Sequence, residues 1–509
     1  MGMDRRTFLR RSALTAAGTV GAAAGPFSGL IAKSAHAAPK LAANNGGYGP
    51  LAPVADLRDG AVRLWLPDGF QYRSFGVRNT ALTEELTITP GRHDGMAAFT
   101  WGEGKIRLVR NHRQNQPVTP PTPAAFGDAS KAYDTRAPGG TTTLEITPRA
   151  EQVKSWVSLN GTTFNCAGGK SPWGSWITCE ETPNGVDQQR NFLFGPAAPN
   201  DLSYNEKHGY VFEVPASRGP GQLEEAEPVR AAGRFAHEAA AVDRATGIVY
   251  MTEDDFAYAS GLFRYVPPNN PFQDKRLADG GRLEILGVIP PGASAPVNID
   301  LHTNQTPGTT HKVGWILIEN PDPTFPTSPG HLSNDEAARV VYQEGESKGA
   351  ARFSRLEGIA YWGRKIFFVS TEGGGPFTGE VPPNTPPTPG GSAGFGAGYG
   401  QVWMYDTRNE TLTLIFESPG PNVLDSPDNI IVSPRRKSVM IAEDSPSGNK
   451  LRGLTRRGTM FDIALNALAG GADEFAGVTF SPGGQVLYAN MQSNGFTFAI
   501  WGPWSRGLA

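Results

Sequence analysis

Three segments of this sequence are built to one plan: Glu238 to Glu253, Glu357 to Glu372 and Asp428 to Glu443. Each opens and closes on an acidic residue, fifteen positions apart. Between the acids lies an apolar run, a turn of Gly, Pro or basic residues, and a second apolar run, which is the signature of a β-hairpin. Asn165 to Glu180 has the same length with an amide in front, and Phe475 to Asn490 keeps the hairpin without either acid. A copy from Asp94 to Asn111 is two residues longer. Further strands follow most hairpins, as at Val211-Phe212, Leu262-Phe263, Gln401-Val402 and Thr459-Met460, and an outer one at Thr411-Leu412.

Six copies of a roughly fifty- to seventy-residue, four-stranded unit predict an all-β fold, a six-bladed β-propeller with loop insertions between blades. A two-layer sandwich would supply as many strands but not the repetition. With 63 Gly and 43 Pro the chain is unsuited to a helical bundle, and an aromatic content of 10% is not that of a disordered one. Residues 38–509 read as a single domain. Residues 268–350, rich in Pro, Asn and Gly, read as an insertion capping one face, and 115–139 and 375–399 as shorter loops of the same kind.

Residues 1–37 read as an address. Arg5-Arg6 precede an apolar run from Ala13 to Ile31, and Ala35-His36-Ala37 offers a cleavage site, the pattern of a twin-arginine export signal. Without it the chain keeps 41 basic against 48 acidic side chains, a net charge of −7. That excludes a basic nucleic-acid binder, and no other stretch is long and apolar enough for stable membrane insertion. The expected setting is periplasmic or secreted, with the twin-arginine machinery as export partner.

In a propeller each innermost hairpin would deliver its acids to one mouth of the central channel. The candidates are Glu180, Glu181, Glu238, Glu253, Asp255, Glu357, Glu372, Asp428 and Glu443, with Asn111 beside them. Carboxylates crowded in this way repel one another unless cations intervene, and their hard oxygens suit calcium, magnesium or iron. Cys179 directly precedes Glu180; it suits an iron site, while a disulfide to Cys166 is the other reading for two cysteines in an oxidising compartment. Arg355 shares a strand face with Glu357 by period-2 alternation, and serves either as an oxyanion fork or as a salt-bridge partner of the acids.

The run Asn165 to Thr182, with Cys166, Trp173, Trp176, Cys179, Glu180 and Glu181, resembles the signature of the PhoX alkaline phosphatases. Phe235-Ala236-His237-Glu238, Arg355-Leu356-Glu357-Gly358 and Ser426-Pro427-Asp428-Asn429 are similar to further motifs of that family, in order. The resemblance implies a six-bladed propeller that hydrolyses phosphate monoesters with an iron–calcium cluster in its channel. It implies Cys179 as an iron bridge, Glu238 and Glu357 as iron ligands, and Glu181, Glu253, Asp255 and Glu443 as calcium ligands. Arg355 and Asn111 would contact the phosphate of a small phosphoester substrate. One departure stands out: Arg113 replaces the acid that the family usually carries after Asn111-His112. A calcium-dependent lactonase-type propeller, a non-catalytic binding propeller and a phosphatase-like protein without turnover are the alternatives.

Overall fold

The computed structural model describes residues 40–114, 126–188, 204–303, 305–326, 334–374, 398–446, 448–468, 471 and 473–509. The export signal expected at 1–37, residues 115–125 of the loop expected at 115–139, and residues 375–397 of that expected at 375–399 lie outside them. Nearly all regular structure is β; the two α-helices among the described residues are Pro271–Asp274 and Asn334–Ser347.

Each hairpin predicted from the repeat forms. Their first strands are His93–Thr100, Asn165–Lys170, His237–Val242, Leu356–Trp362, Pro427–Val432 and Phe475–Phe480. These six pack side by side in a closed cyclic order, the last against the first. Further strands extend outward from each, giving propeller-like sheets. The third and fourth repeats share one nine-stranded sheet, joined through Thr310–Leu317, which pairs with Arg282–Ile289 on one side and Thr411–Glu417 on the other, so among the described residues the six repeats build five sheets. The stretch 268–350 therefore contributes sheet strands as well as loop. The N-terminal strands complete the sheets of the last two repeats. Val62–Pro67 pairs with Thr459–Asn466 in the fifth, and Gln71–Phe75 pairs with Phe496–Trp501 in the sixth.

The core is divided in the same way. Among the described residues, six large apolar clusters each lie between two consecutive repeats. The inner strands supply both sides by alternation: Ala240 and Val242 pack toward the second repeat, Ala239 and Ala241 toward the fourth. Strands buried on both faces and crowded at an axis have room only for small side chains, which is why the third inner strand reads Ala239-Ala240-Ala241.

The register differs from the expected one by a β-bulge. His237, not Glu238, faces Glu253; Leu356 faces Ser370; Pro427 faces Glu443; His93 faces His112. In each case the next two residues oppose a single partner residue, the definition of a bulge. The bulged pairs are Asp94-Gly95, Glu238-Ala239, Glu357-Gly358 and Asp428-Asn429, with Cys166-Ala167 matching them in the second sheet. The residue after the acid or thiol is mostly small because the neighbouring strand is almost in contact. A Cβ on Gly358 would lie 2.3 Å from the Asp428 carbonyl oxygen, and one on Gly95 2.6 Å from Ala167 Cα. Polar side chains tie the same strands together. Asn111 Nδ2 donates to the Cys166 carbonyl at 2.8 Å, Thr252 Oγ1 to that of Glu357 at 2.5 Å and Asn490 Nδ2 to that of Asp94 at 2.5 Å.

A buried polar knot secures the periphery of the second sheet. His208 lies between Glu180 (Nδ1 to Oε1, 2.7 Å) and Asp134 (Nε2 to Oδ2, 3.4 Å). Glu180 also accepts backbone N–H bonds from Thr163, Gly209 and Tyr210. Burial opposes protonation of His208, but the two carboxylates outweigh it and push the imidazole pKa up to about 9.

Gly358→Val should lower stability by about 1–3 kcal/mol through overpacking, read as a fall in Tm. Gly102→Ala, which meets nothing within 4 Å, should stay within about 0.5 kcal/mol of the parent. His208 gives a pH signature. Its folded pKa is raised, so its contribution is complete below the unfolded value of about 6.5 and disappears as pH rises through about 9. Denaturant titrations should show up to about 3 kcal/mol lost across that window, and His208→Gln should flatten the dependence.

Candidate metal centre

The bulges decide which side chains meet. Five repeats each aim the first residue of the bulge at the axis: Asp94, Cys166, Glu238, Glu357 and Asp428; the sixth offers Ala476. Two groups result. Cys166, Glu181 and Glu238 have ligand atoms within 4.8 Å of one another, as do Glu238, Glu357 and Asp428, and all five residues are buried. Glu238 belongs to both. Cys166 Sγ lies 3.2 Å from Glu238 Oε1 and 3.8 Å from Asp94 Oδ2.

Such a cluster strongly disfavours its own ionisation. Burial, and then the charges of Glu181, Asp428 and Glu357, push the Glu238 carboxyl well above its ordinary range. Burial raises Asp94 as well, and raises the Cys166 thiol, with Asp94 and Glu238 adding to it. Cations would reverse this balance, since a bound metal is the largest local charge and holds its ligands deprotonated. The donor set fits iron and calcium: several hard carboxylate oxygens and one thiol, converging and withdrawn from water.

Two arginines flank the groups, Arg355 buried and Arg113 largely so. Arg355, in the left-handed conformation at φ 47°, grips Asp254 with a two-pronged fork (3.0 and 2.8 Å). It also donates to Glu357 Oε1 at 2.7 Å and Glu372 Oε1 at 3.3 Å, and stacks over the Phe256 ring. Arg113 donates to Glu181 and lies 3.9 Å from Asp94 and 3.8 Å from Glu474, with its guanidinium over Phe164. Burial works against the Arg113 charge, but Cys166, Glu181, Asp94 and Glu474 together overcome it.

Of the residues expected from sequence, Glu181, Glu238, Glu357 and Asp428 come together. Arg355 and Glu372 lie at their edge. Glu253 and Asp255 form an adjacent acidic pair, in which Glu253 accepts from Gly261 N–H at 2.9 Å and its buried Oε1 has no hydrogen-bond partner among the described residues. Glu180 is turned to His208, as described. Glu443 takes the Asp425 N–H and the Arg452 guanidinium, with burial pushing its carboxyl up to about 7. Asn111 has both ends of its amide engaged, by two carbonyls and by Trp176 Nε1. Both cysteines are free thiols. Cys179 packs among Ile177, Val211 and Phe235, where burial and then the charge of Glu238 push its thiol up; Cys166 is the thiol that lies 3.2 Å from Glu238 Oε1. The sequence held a signal for it: Cys166 and Glu181 are themselves fifteen residues apart, like Glu238 and Glu253. Asp94, Asp254 and Glu474 were not singled out as site residues, and only Asp94, at the head of its repeat, could have been.

No curated protein sequence matches this chain. Among solved structures it is similar to "Pseudomonas fluorescens PhoX in complex with vanadate, a transition state analogue", with a TM-score of 0.60 and 16% identity over 91% of this chain and 99% of that one. At that identity the likeness is one of fold. A pyranose dehydrogenase PQQ domain from Coprinopsis cinerea aligns over 86% of this chain and 97% of its own, at 8% identity. Its TM-score of 0.29 is too low to bear on the fold. The family model for alkaline phosphatase PhoX matches residues 148–495. Matched over well more than half its length, the chain belongs to the PhoX family of alkaline phosphatases.

Proposed function

We propose that this protein hydrolyses phosphate monoesters at the axis of a six-bladed propeller, with iron and calcium held by the inner strands. The observation that carries the proposal is the convergence of Glu238, Glu357 and Asp428 from three repeats, with Cys166 and Glu181 adjoining. Cys166, Glu238, Glu357 and Asp428 would hold the metals, with Glu253 and Asp255 providing for calcium beside them. When bound, the cations supply Lewis-acid stabilisation of charge on the phosphoryl oxygens. Arg355 brings a fixed positive charge to the same edge. Asp254 and Phe256 hold its guanidinium in one plane, so a phosphoryl oxygen would meet it without a reorganisation cost. Asn111 acts as a positioning residue, tying the first repeat to the backbone that carries Cys166. The buried ring of Phe164 and the enclosed setting of the acids lower the local dielectric, which strengthens every charge interaction there.

We place residues 1–37 as a twin-arginine export signal and 38–509 as one domain, with the mature protein periplasmic or secreted. Among the described residues no helix is long and apolar enough to cross a membrane. The substrate is a small phosphoester reached from the channel mouth.

Turnover of p-nitrophenyl phosphate by protein exported from a twin-arginine-competent host tests the reading. Glu238→Gln and Asp428→Asn should each reduce kcat by about 10²-fold or more and lower bound metal, measured by plasma mass spectrometry. Full turnover by metal-free protein would overturn the proposal. Asp254→Asn should leave metal content intact while lowering kcat by about 10- to 100-fold, the range for groups that orient a centre without entering it.

A further inference from the structure

The acidic assembly is not uniformly negative: Arg355 engages Glu357 on one side, and on the other Arg113 enters the group itself, with Arg92 nearby. Arg113 follows directly on the second strand of the first repeat, Ile106–His112, and its backbone N–H is fixed to the Arg92 carbonyl at 2.9 Å. From there the side chain reaches into the group formed by Cys166, Glu181 and Glu238. It donates to Glu181, one of the three members, and lies within 4.0 Å of Asp94 and Glu474. Phe164 backs the guanidinium at 4.5 Å, and only 11% of the side chain is exposed. An arginine in this setting stays charged at any relevant pH.

We propose that the Arg113 guanidinium is a built-in counter-ion that takes the place of one metal cation at Glu181, confining the metals of this chain to the sector of Cys166, Glu238, Glu357 and Asp428 with its neighbours Glu253 and Asp255. The proposal rests on the metal-centre reading above. Its physical basis is competition for the same oxygens. A cation bound to Glu181 would displace the Arg113 hydrogen bond, and would leave a permanent positive charge buried a few ångströms away. The two occupants exclude each other. A guanidinium neutralises only one charge and accepts no further ligand, so this side of the ring is closed to metal exchange, whereas the Glu238–Glu357–Asp428 side is open to it. Asp94 and Glu474, which would otherwise complete a carboxylate site with Glu181, share the same guanidinium at 3.9 and 3.8 Å, and Arg92 adds a second positive charge acting on all three acids.

Metal stoichiometry tests this without reference to turnover. Intact protein is loaded with ferric iron and calcium, dialysed, and its iron and calcium per chain counted by plasma mass spectrometry. Arg113→Gln should gain about one cation per chain over the parent, and Arg113→Lys should match the parent. Glu181→Gln in the otherwise unaltered chain should leave the count unchanged, because its oxygen is already committed, whereas Glu238→Gln should lower it. The Glu181 and Glu238 comparison decides the matter even if Arg113→Gln does not fold. A loss of metal in Glu181→Gln, or an unchanged count in well-folded Arg113→Gln, would overturn the proposal. A parent that holds no metal, with Glu238→Gln indistinguishable from it, would instead remove the metal-centre reading on which it rests.

Discussion

The close approach of neighbouring inner strands governs this molecule. Backbone from one repeat comes so near the next that a single Cβ at Gly358 or Gly95 would collide with it. Two consequences follow together. The strands must be made of small residues, and their polar backbone must be satisfied across repeats, as Asn111, Thr252 and Asn490 do. The bulge that accommodates the contact also turns one side chain per repeat toward the axis. Packing and chemistry are thus fixed by the same local distortion, and neither can be altered alone.

That distortion marks the limit of what the sequence reveals. Alternating apolar runs around a turn carry a strong hairpin signal, so the repeats and the mostly-β fold could be read directly. A bulge adds one residue to one strand and leaves no mark in hydrophobic periodicity. Reading the acids as a flat cross-strand pair therefore set Glu238 opposite Glu253, where His237 stands. In the second repeat the same assumption selected Asn165, whereas the bulge brings Cys166 to Glu238, a second thiol besides the Cys179 that the sequence marked beside Glu180. Glu180 and Glu443 show a second limit. Their carboxylates are consumed by partners distant in sequence, His208 with three backbone amides and Arg452 with Asp425, which no local pattern announces. Asn111 was legible as a residue of the inner hairpin, but its commitment to the next strand was not.

Charge balance gives the site its asymmetry. One side of the acidic assembly is answered from within the protein, by a guanidinium pressed against an aromatic ring. The other gathers three carboxylates from three different strands, with Arg355 engaging Glu357 but braced mainly by Asp254. Buried like charges at this spacing destabilise a fold unless something offsets them. Ligand binding is then also folding energy: the native state gains what the cluster loses when it is filled.

The pairing of Gln71–Phe75 with Phe496–Trp501 carries this further. The outermost strand of the last sheet comes from the beginning of the polypeptide, so the ring cannot be sealed until synthesis has passed residue 501. Contacts so distant along the chain make for slow assembly. The acids of the metal sector, Glu238, Glu357 and Asp428, come from three successive repeats and meet only once those repeats have packed together. Metal capture should thus follow the packing of the third to fifth repeats, and it would fall before any step that requires a finished fold.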